Sequence, residues 1–291
     1  MIRMMAAWLI LLLLVPLASA SGYTVEIGVV YSQTPSQDLR ADIYIPAGLE
    51  DDARVPAILI VHGGGWSRGT RAGFAEVALG QRFAKEGFVA VSIDYRLVRD
   101  GENGEIVNQW PAAIDDCRQA VRWLRENASR FHINPERIGA IGGSAGGHLV
   151  SLLGTTDAAR PGETSTRVQA VVDVFGPADL VGDFSQIPYK GFSAQVLIDR
   201  LVGQENEANK IDASPIRHID DQTPPFLIFH GSDDPLVPVD QSRRFHAALK
   251  EAGREVEYIE YEGERHSLSP ENFEDALKRA MAFFKRTLAA S

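Results

Sequence analysis

The chain has 291 residues, 45% of them hydrophobic, which suits one large α/β domain with a substantial core. Its formal net charge is −10 at pH 7 and it carries no basic run to neutralise phosphates, which argues against a nucleic-acid partner and against polyanionic substrates. A single cysteine, Cys117, excludes an internal disulfide, so stability has to come from the core.

The N-terminus reads as a secretory signal over residues 1–20. Arg3 supplies the positive start, Ala6 to Leu17 the apolar segment, and Ala18-Ser19-Ala20 the small residues of a cleavage site, so the mature chain is expected to begin near Ser21 with a charge of −11. An uncleaved membrane anchor is the competing reading; the apolar segment is short for a bilayer and ends in A-x-A. No cysteine lies near the cut, so a bacterial lipid anchor is not expected. The expected location is periplasmic or extracellular, with no stable membrane association after cleavage.

Residues 21–291 are expected to form one catalytic domain. Tyr23 to Tyr31 alternates as a strand, Pro35-Ser36-Gln37-Asp38 turns, and Leu39 to Ile45 returns. Ala57 to Val61 is a continuous apolar run, the pattern of a strand buried on both faces. Phe74 to Lys85 reads as a helix stopped by Gly87, Phe88 to Ile93 as a buried strand, and Trp110 to Glu126 as an amphipathic helix holding Cys117 as a small core residue. Asn134-Pro135-Glu136 turns into the strand Arg137 to Ile141, followed by Gly142-Gly143-Ser144-Ala145-Gly146 and a helical run. Val168 to Phe175 and Phe226 to Phe229 are further strands; Gln241 to Ala252, Glu255 to Tyr261 and Pro270 to Leu288 give helix, strand and closing helix. Alternating strands and helices predict a mostly parallel, doubly wound sheet with an antiparallel hairpin at its start.

One segment breaks this rhythm. Residues 177–223 separate two strands by far more than a crossover needs. They contain an apolar helical patch at Ala194 to Leu201 and aromatics at Phe184, Tyr189 and Phe192, which suits a small cap over a pocket; a passive surface insertion is the alternative.

The chemistry concentrates at strand ends. Ser144 sits at the apex of a strand–turn–helix G-x-S-x-G pattern that exposes a hydroxyl beside a helix N-terminus. A nucleophilic serine needs a base, the base needs an acid, and the developing oxyanion needs donors. His62-Gly63-Gly64-Gly65-Trp66 follows a strand, and its glycines can turn N–H groups into a cavity; Gly64, Gly65 and the N–H of Ala145 are the expected oxyanion donors. The acid comes from Asp233-Asp234 after the strand Phe226 to Phe229, with Asp234 expected to face the base and Asp233 to brace the loop. His266, between the last strand and last helix, is the expected base, and Ser144, Asp234, His266 is the chain order of this hydrolase architecture. His62 is expected to brace its turn and His148 to pack beneath the elbow helix. Trp66 is a candidate wall of the substrate pocket. Neither a cofactor nor a metal is expected, since metal-ligand spacings such as H-E-x-x-H are missing from the sequence.

With these residues the chain resembles the α/β-hydrolases. More narrowly, the His62–Trp66 loop and the Gly142–Gly147 elbow resemble the carboxylesterase and acetyl-esterase group that includes BD-FAE-type feruloyl and acetylxylan esterases. The resemblance covers nearly all of residues 21–291. Asp94-Tyr95-Arg96-Leu97 is also similar to that group and to hormone-sensitive-lipase relatives. Those lipase relatives continue D-Y-R-L with A-P-E, whereas here Val98-Arg99-Asp100-Gly101 follows, and they carry a helical cap ahead of the glycine loop where this chain has strand patterns. The resemblance therefore implies the branch without that cap: a serine carboxylesterase acting on small acyl esters, with acetyl or feruloyl esters of plant polysaccharide among the substrates. An arylformamidase or other amide hydrolase on the same fold is the rival enzyme reading, and a non-catalytic binding protein the rival from another class.

Overall fold

The computed structural model describes residues 22–182, 184 and 193–289. The expected signal segment, Ser21, Tyr189 and Phe192 lie outside the described residues. A long hairpin, β1 (Tyr23–Gln33) and β2 (Asp38–Pro46), leads into β3 (Val55–Val61), α1 (Phe74–Lys85) and β4 (Val89–Ile93). A two-rung hairpin, β5 (Arg99–Asp100) and β6 (Ile106–Val107), precedes α2 (Ala112–Glu126), β7 (Ile133–Gly143), α3 (Ala145–Thr155) and β8 (Ala170–Val174). Then come α4 (Ala194–Val202), α5 (Glu207–Asp212), β9 (Phe226–Gly231), α6 (Asp240–Glu251), β10 (Val256–Tyr261) and α7 (Pro270–Thr287).

The large sheet runs β1-β2-β4-β3-β7-β8-β9-β10. β2 pairs antiparallel with β1 and β4, and every other pairing is parallel. One core layer packs α2, α3 and α6 on one face, and a second packs α1 and α7 on the other. β3 and β4 are covered on both sides, which is why they read as unbroken apolar runs. This is the mostly parallel, doubly wound sheet with an antiparallel hairpin at its start that the sequence predicts.

The boundaries differ from the sequence reading at a few places. Asn134-Pro135-Glu136 is not a turn ahead of the strand but lies inside β7. There Val55 pairs with Ile133 and Ala57 with Ile138, so β7 accommodates the extra residues as an irregularity closed by the Glu136 N–H on Asn134 Oδ1. The β5–β6 hairpin and α5 carry no clear periodicity because they are too short to show one. α7 begins with Ser269 capping Asn272 and Pro270 in the first turn, a start the sequence makes visible. Cys117 is buried, and burial pushes its thiol pKa up, as a core residue would be.

The 177–223 insertion is wired into the body. The Trp110 N–H donates to the Leu201 carbonyl at 2.7 Å, and the Trp110 indole N–H donates to the Asp212 carboxylate at 2.7 Å. The Asp179 N–H reaches Gln241 Oε1 of α6 at 2.8 Å. Ile198, Leu201 and Val202 are buried in the same core layer as α2 and α3. Leu201→Ala should therefore cost about 2–5 kcal/mol in urea-induced unfolding, the usual range for a buried leucine; a loss under about 1 kcal/mol would mean that the insertion only rests on the surface.

Candidate active site

Ser144 joins β7 to α3 with φ 57° and ψ −122°, a backbone conformation that a non-glycine residue adopts only under constraint. Two contacts hold it there. Its N–H donates to the Val174 carbonyl at 2.9 Å, and its carbonyl accepts the His148 N–H at 3.0 Å. Gly146 lets α3 approach β3 so closely that a Cβ at that position would lie 2.1 Å from the Val61 carbonyl oxygen.

The three expected side chains converge from three strand ends. His266 Nε2 lies 2.8 Å from Ser144 Oγ, and His266 Nδ1 lies 2.7 Å from Asp234 Oδ2. The carboxylate can only accept, so Nδ1 carries the proton toward it and Nε2 is left to accept from the serine hydroxyl. Asp234 is fully engaged: Oδ1 accepts the N–H groups of Leu236 and Val237 at 2.8 and 3.0 Å, and Oδ2 also meets His230 Nε2 at 3.2 Å. Burial alone would raise this carboxyl, yet the hydrogen bonds from His230 and His266 outweigh it and hold it well below the usual carboxylate range. Asp234 faces the base as expected and braces its loop as well, the role read for Asp233. Asp233 is exposed, and its Oδ1 accepts the neighbouring Ser232 hydroxyl at 3.1 Å.

The glycine loop folds as a tight turn. Gly64 has φ 115°, and its carbonyl accepts the N–H groups of Ser67 and Arg68. Gly64 and Gly65 border the same cavity as Ser144 and His266, and Ala145 opens α3, where the first helical N–H groups lack intrahelical partners. Among the described residues, no acceptor meets the N–H of Gly64, Gly65 or Ala145. Trp66 is mostly internal: its indole N–H donates to His148 Nδ1 at 3.2 Å, and it forms part of the wall of a small pocket beside Ser144. His62 braces the turn, its Nδ1–H donating to the Gly63 carbonyl at 2.8 Å.

The sequence reading missed what supports this loop. Tyr95 stacks on His62 at 4.2 Å between ring centres, and its hydroxyl donates to the His62 carbonyl at 3.1 Å. Asp94 accepts from the Arg71 N–H and guanidinium, and Arg96 grips Asp116 of α2. The D-Y-R stretch was visible as a motif, but its partners are distant in sequence. Phe175, with φ 46°, packs its ring 4.7 Å from His266, and only the end of a strand marked it.

A family model for BD-FAE matches residues 41–249. The chain belongs to the BD-FAE family. It is 35% identical to esterase LipC of Mycobacterium tuberculosis over 72% of its own length and 52% of that protein. The chain spans about half the length of the curated relatives it matches. Among solved structures it is similar to a truncated carbohydrate esterase from gut microbiota, with TM-score 0.74 and 26% identity over 94% of this chain and 99% of that one. It is similar also to esterase 2 of Thermogutta terrifontis with propionate bound, with TM-score 0.73 and 29% identity over 93% of this chain and 97% of that one. The same esterase phosphorylated by paraoxon gives TM-score 0.73 and 28% identity, with 93% and 96% covered.

Two buried titratable groups lie beneath the elbow of this BD-FAE chain. Asp173, on β8, accepts the Gly176 N–H and the Ser151 hydroxyl, and burial pushes its pKa up to about 6. His148, on α3, donates Nε2–H to the Ala213 carbonyl at 2.6 Å, and burial lowers its pKa to about 4. The signs oppose. Asp173 has a folded pKa above its unfolded 3.8, so its contribution is full below pH 4 and is lost as pH rises through 6. His148 has a folded pKa below its unfolded 6.5, so its contribution is full above that value and is lost as pH falls toward 4. Each amounts to about 3 kcal/mol, so the two nearly cancel between pH 7 and 4. Asp173→Asn should unmask the histidine: between pH 7 and 4 in urea titrations the variant loses about 3 kcal/mol more than the wild type, because only the other titrating groups are common to both. A variant whose pH profile parallels that of the wild type would show that Asp173 does not take up the proton.

Proposed function

We propose that this chain hydrolyses carboxylic esters of small acyl groups through an acyl-enzyme. Ser144 attacks the carbonyl, His266 takes the serine proton and returns it to the leaving alcohol, and Asp234 orients His266 and stabilises its protonated form. The N–H groups of Gly64, Gly65 and Ala145 stabilise the oxyanion, each such donor contributing about 3 kcal/mol to the barrier in comparable sites. A water molecule then repeats the attack and frees the acid. The observation that carries this reading is the unbroken relay from Asp234 through His266 to Ser144, at 2.7 and 2.8 Å, bordering an apolar cavity.

Membership in the BD-FAE family supports it, as do the names of the relatives: an esterase, a carbohydrate esterase, and an esterase seen with propionate or modified by paraoxon. The pattern of Arg3, apolar segment and Ala18-Ser19-Ala20 supports action after export.

Ser144→Ala should lower p-nitrophenyl acetate hydrolysis by about 10⁴-fold or more without lowering the thermal unfolding midpoint. Asp234→Asn should cost about 10⁴-fold in kcat and Asp233→Asn less than tenfold, because only Asp234 touches His266. Retained turnover in a clean Ser144→Ala preparation would end the assignment, and the reverse ranking of the two aspartates would move the acid.

A further inference from the structure

Two cavities meet at Ser144, and they differ in size and in their relation to His266. The larger, about 480 Å³, includes His266 and runs between α1 and α7 over Ile60, Ile141 and Phe229 of the sheet. Its origin is a wedge between the helices. At their far ends α1 and α7 touch through Phe83 and Phe284, whose ring centres are 5.7 Å apart. Nearer the relay, Ala75 and Leu79 on α1 and Phe273, Ala276, Leu277 and Ala280 on α7 line the space between them, and Arg82 of α1 pairs with Glu274 of α7 at 2.8 Å. The stretch of α7 from Phe273 to Ala280 that lines it gives a depth of about 10 Å at 1.5 Å per residue. Beyond Ser144 and His266, the polar side chains among its described lining residues are Arg68 and Glu76.

The smaller cavity, about 40 Å³, lies on the Ala145 side of Ser144 and does not reach His266. Trp66, Phe184, Leu197 and Ile198 wall it in. At roughly 10–15 Å³ for each water-sized group, it admits about three such groups.

Proton transfer decides which part of an ester occupies which space. The departing oxygen must take its proton from His266 Nε2, so the alcohol lies on the His266 side and the acyl substituent on the other. Resting on the ester-hydrolase reading above, we propose that the substrates are esters of a two- or three-carbon acyl group with an apolar alcohol, the acyl chain in the small pocket and the alcohol's hydrocarbon body in the α1–α7 wedge. An alkyl or aryl alcohol gains from burial there. A sugar would set hydroxyls against walls with few partners, at a cost for each unmatched group.

The test uses the purified full chain and two substrate series: acetates of ethanol through hexanol, and ethyl esters of acetic through hexanoic acid. The expected kcat/KM rises about fourfold per methylene along the alcohol series, the equivalent of about 0.8 kcal/mol for each buried CH₂, and falls at least tenfold along the acyl series beyond propionate. Ala276→Phe, which fills the wedge, should lower the hexyl-to-ethyl acetate ratio at least tenfold. Ala280→Leu is the milder version should the first variant fail to fold by circular dichroism. Ile198→Ala, which widens the small pocket, should raise the hexanoate-to-acetate ratio. A preference for hexanoate in the wild type, loss of the acyl series instead of the alcohol series in Ala276→Phe, or faster turnover of acetylated xylose than of hexyl acetate would each overturn the assignment of the two pockets while leaving the hydrolase reading intact. Failure to turn over any ester, p-nitrophenyl acetate included, would overturn both.

Discussion

The close approach of α3 to β3 is the constraint on which the rest of this structure depends. With only a hydrogen at Gly146, the helix can press against the Val61 and His62 carbonyls. That contact, with the Val174 carbonyl holding the Ser144 N–H, keeps the serine in a left-handed conformation that costs on the order of 1–3 kcal/mol. The cost has a geometric return. The hydroxyl lies within reach of His266, and Ala145, the first residue of α3, follows it directly. Relaxing the backbone would move the Ser144 hydroxyl and the start of α3 together.

Around this point the polar interior is organised as a set of ties between layers. The Trp66 indole, His148 ring and Ala213 carbonyl form one chain of hydrogen bonds linking the glycine loop, the elbow helix and the insertion. Tyr95 links the glycine loop to the end of β4, and Arg96 carries that link to α2. His230 and the Leu236 and Val237 N–H groups fix Asp234, so the acid is positioned before it meets His266. Each tie satisfies a buried polar group that would otherwise be costly, and each also fixes one part of the relay or its donors. Rigidity of the fold and geometry of the site are thus the same set of contacts seen from two sides.

The other face supplies space as well as ties. α1 and α7 meet through Phe83 and Phe284 and through the Arg82–Glu274 ion pair, and elsewhere between them a core layer becomes a cavity where it nears Ser144. The insertion contributes Leu197 to both cavities and so helps to separate them.

Much of this was legible in the chain. Apolar runs marked the central strands because burial on both faces leaves no room for alternation, and glycine and proline marked the turns because few other residues adopt those angles. Ser144, Asp234 and His266 stood out because each follows a strand, and strand ends in a parallel sheet gather at one edge. Local sequence also identified His62 as a brace, since its partner is the adjacent Gly63. What the sequence could not specify were contacts between distant residues. The pairing of Tyr95 with His62, the approach of His266 to Asp234, the path of residues 134–136 inside β7 and the wedge between α1 and α7 depend on how elements far apart in the chain are brought together. Periodicity and motif spacing report a residue's own backbone and burial, whereas the size of a cavity and the partner of a buried polar group exist only once the layers have packed.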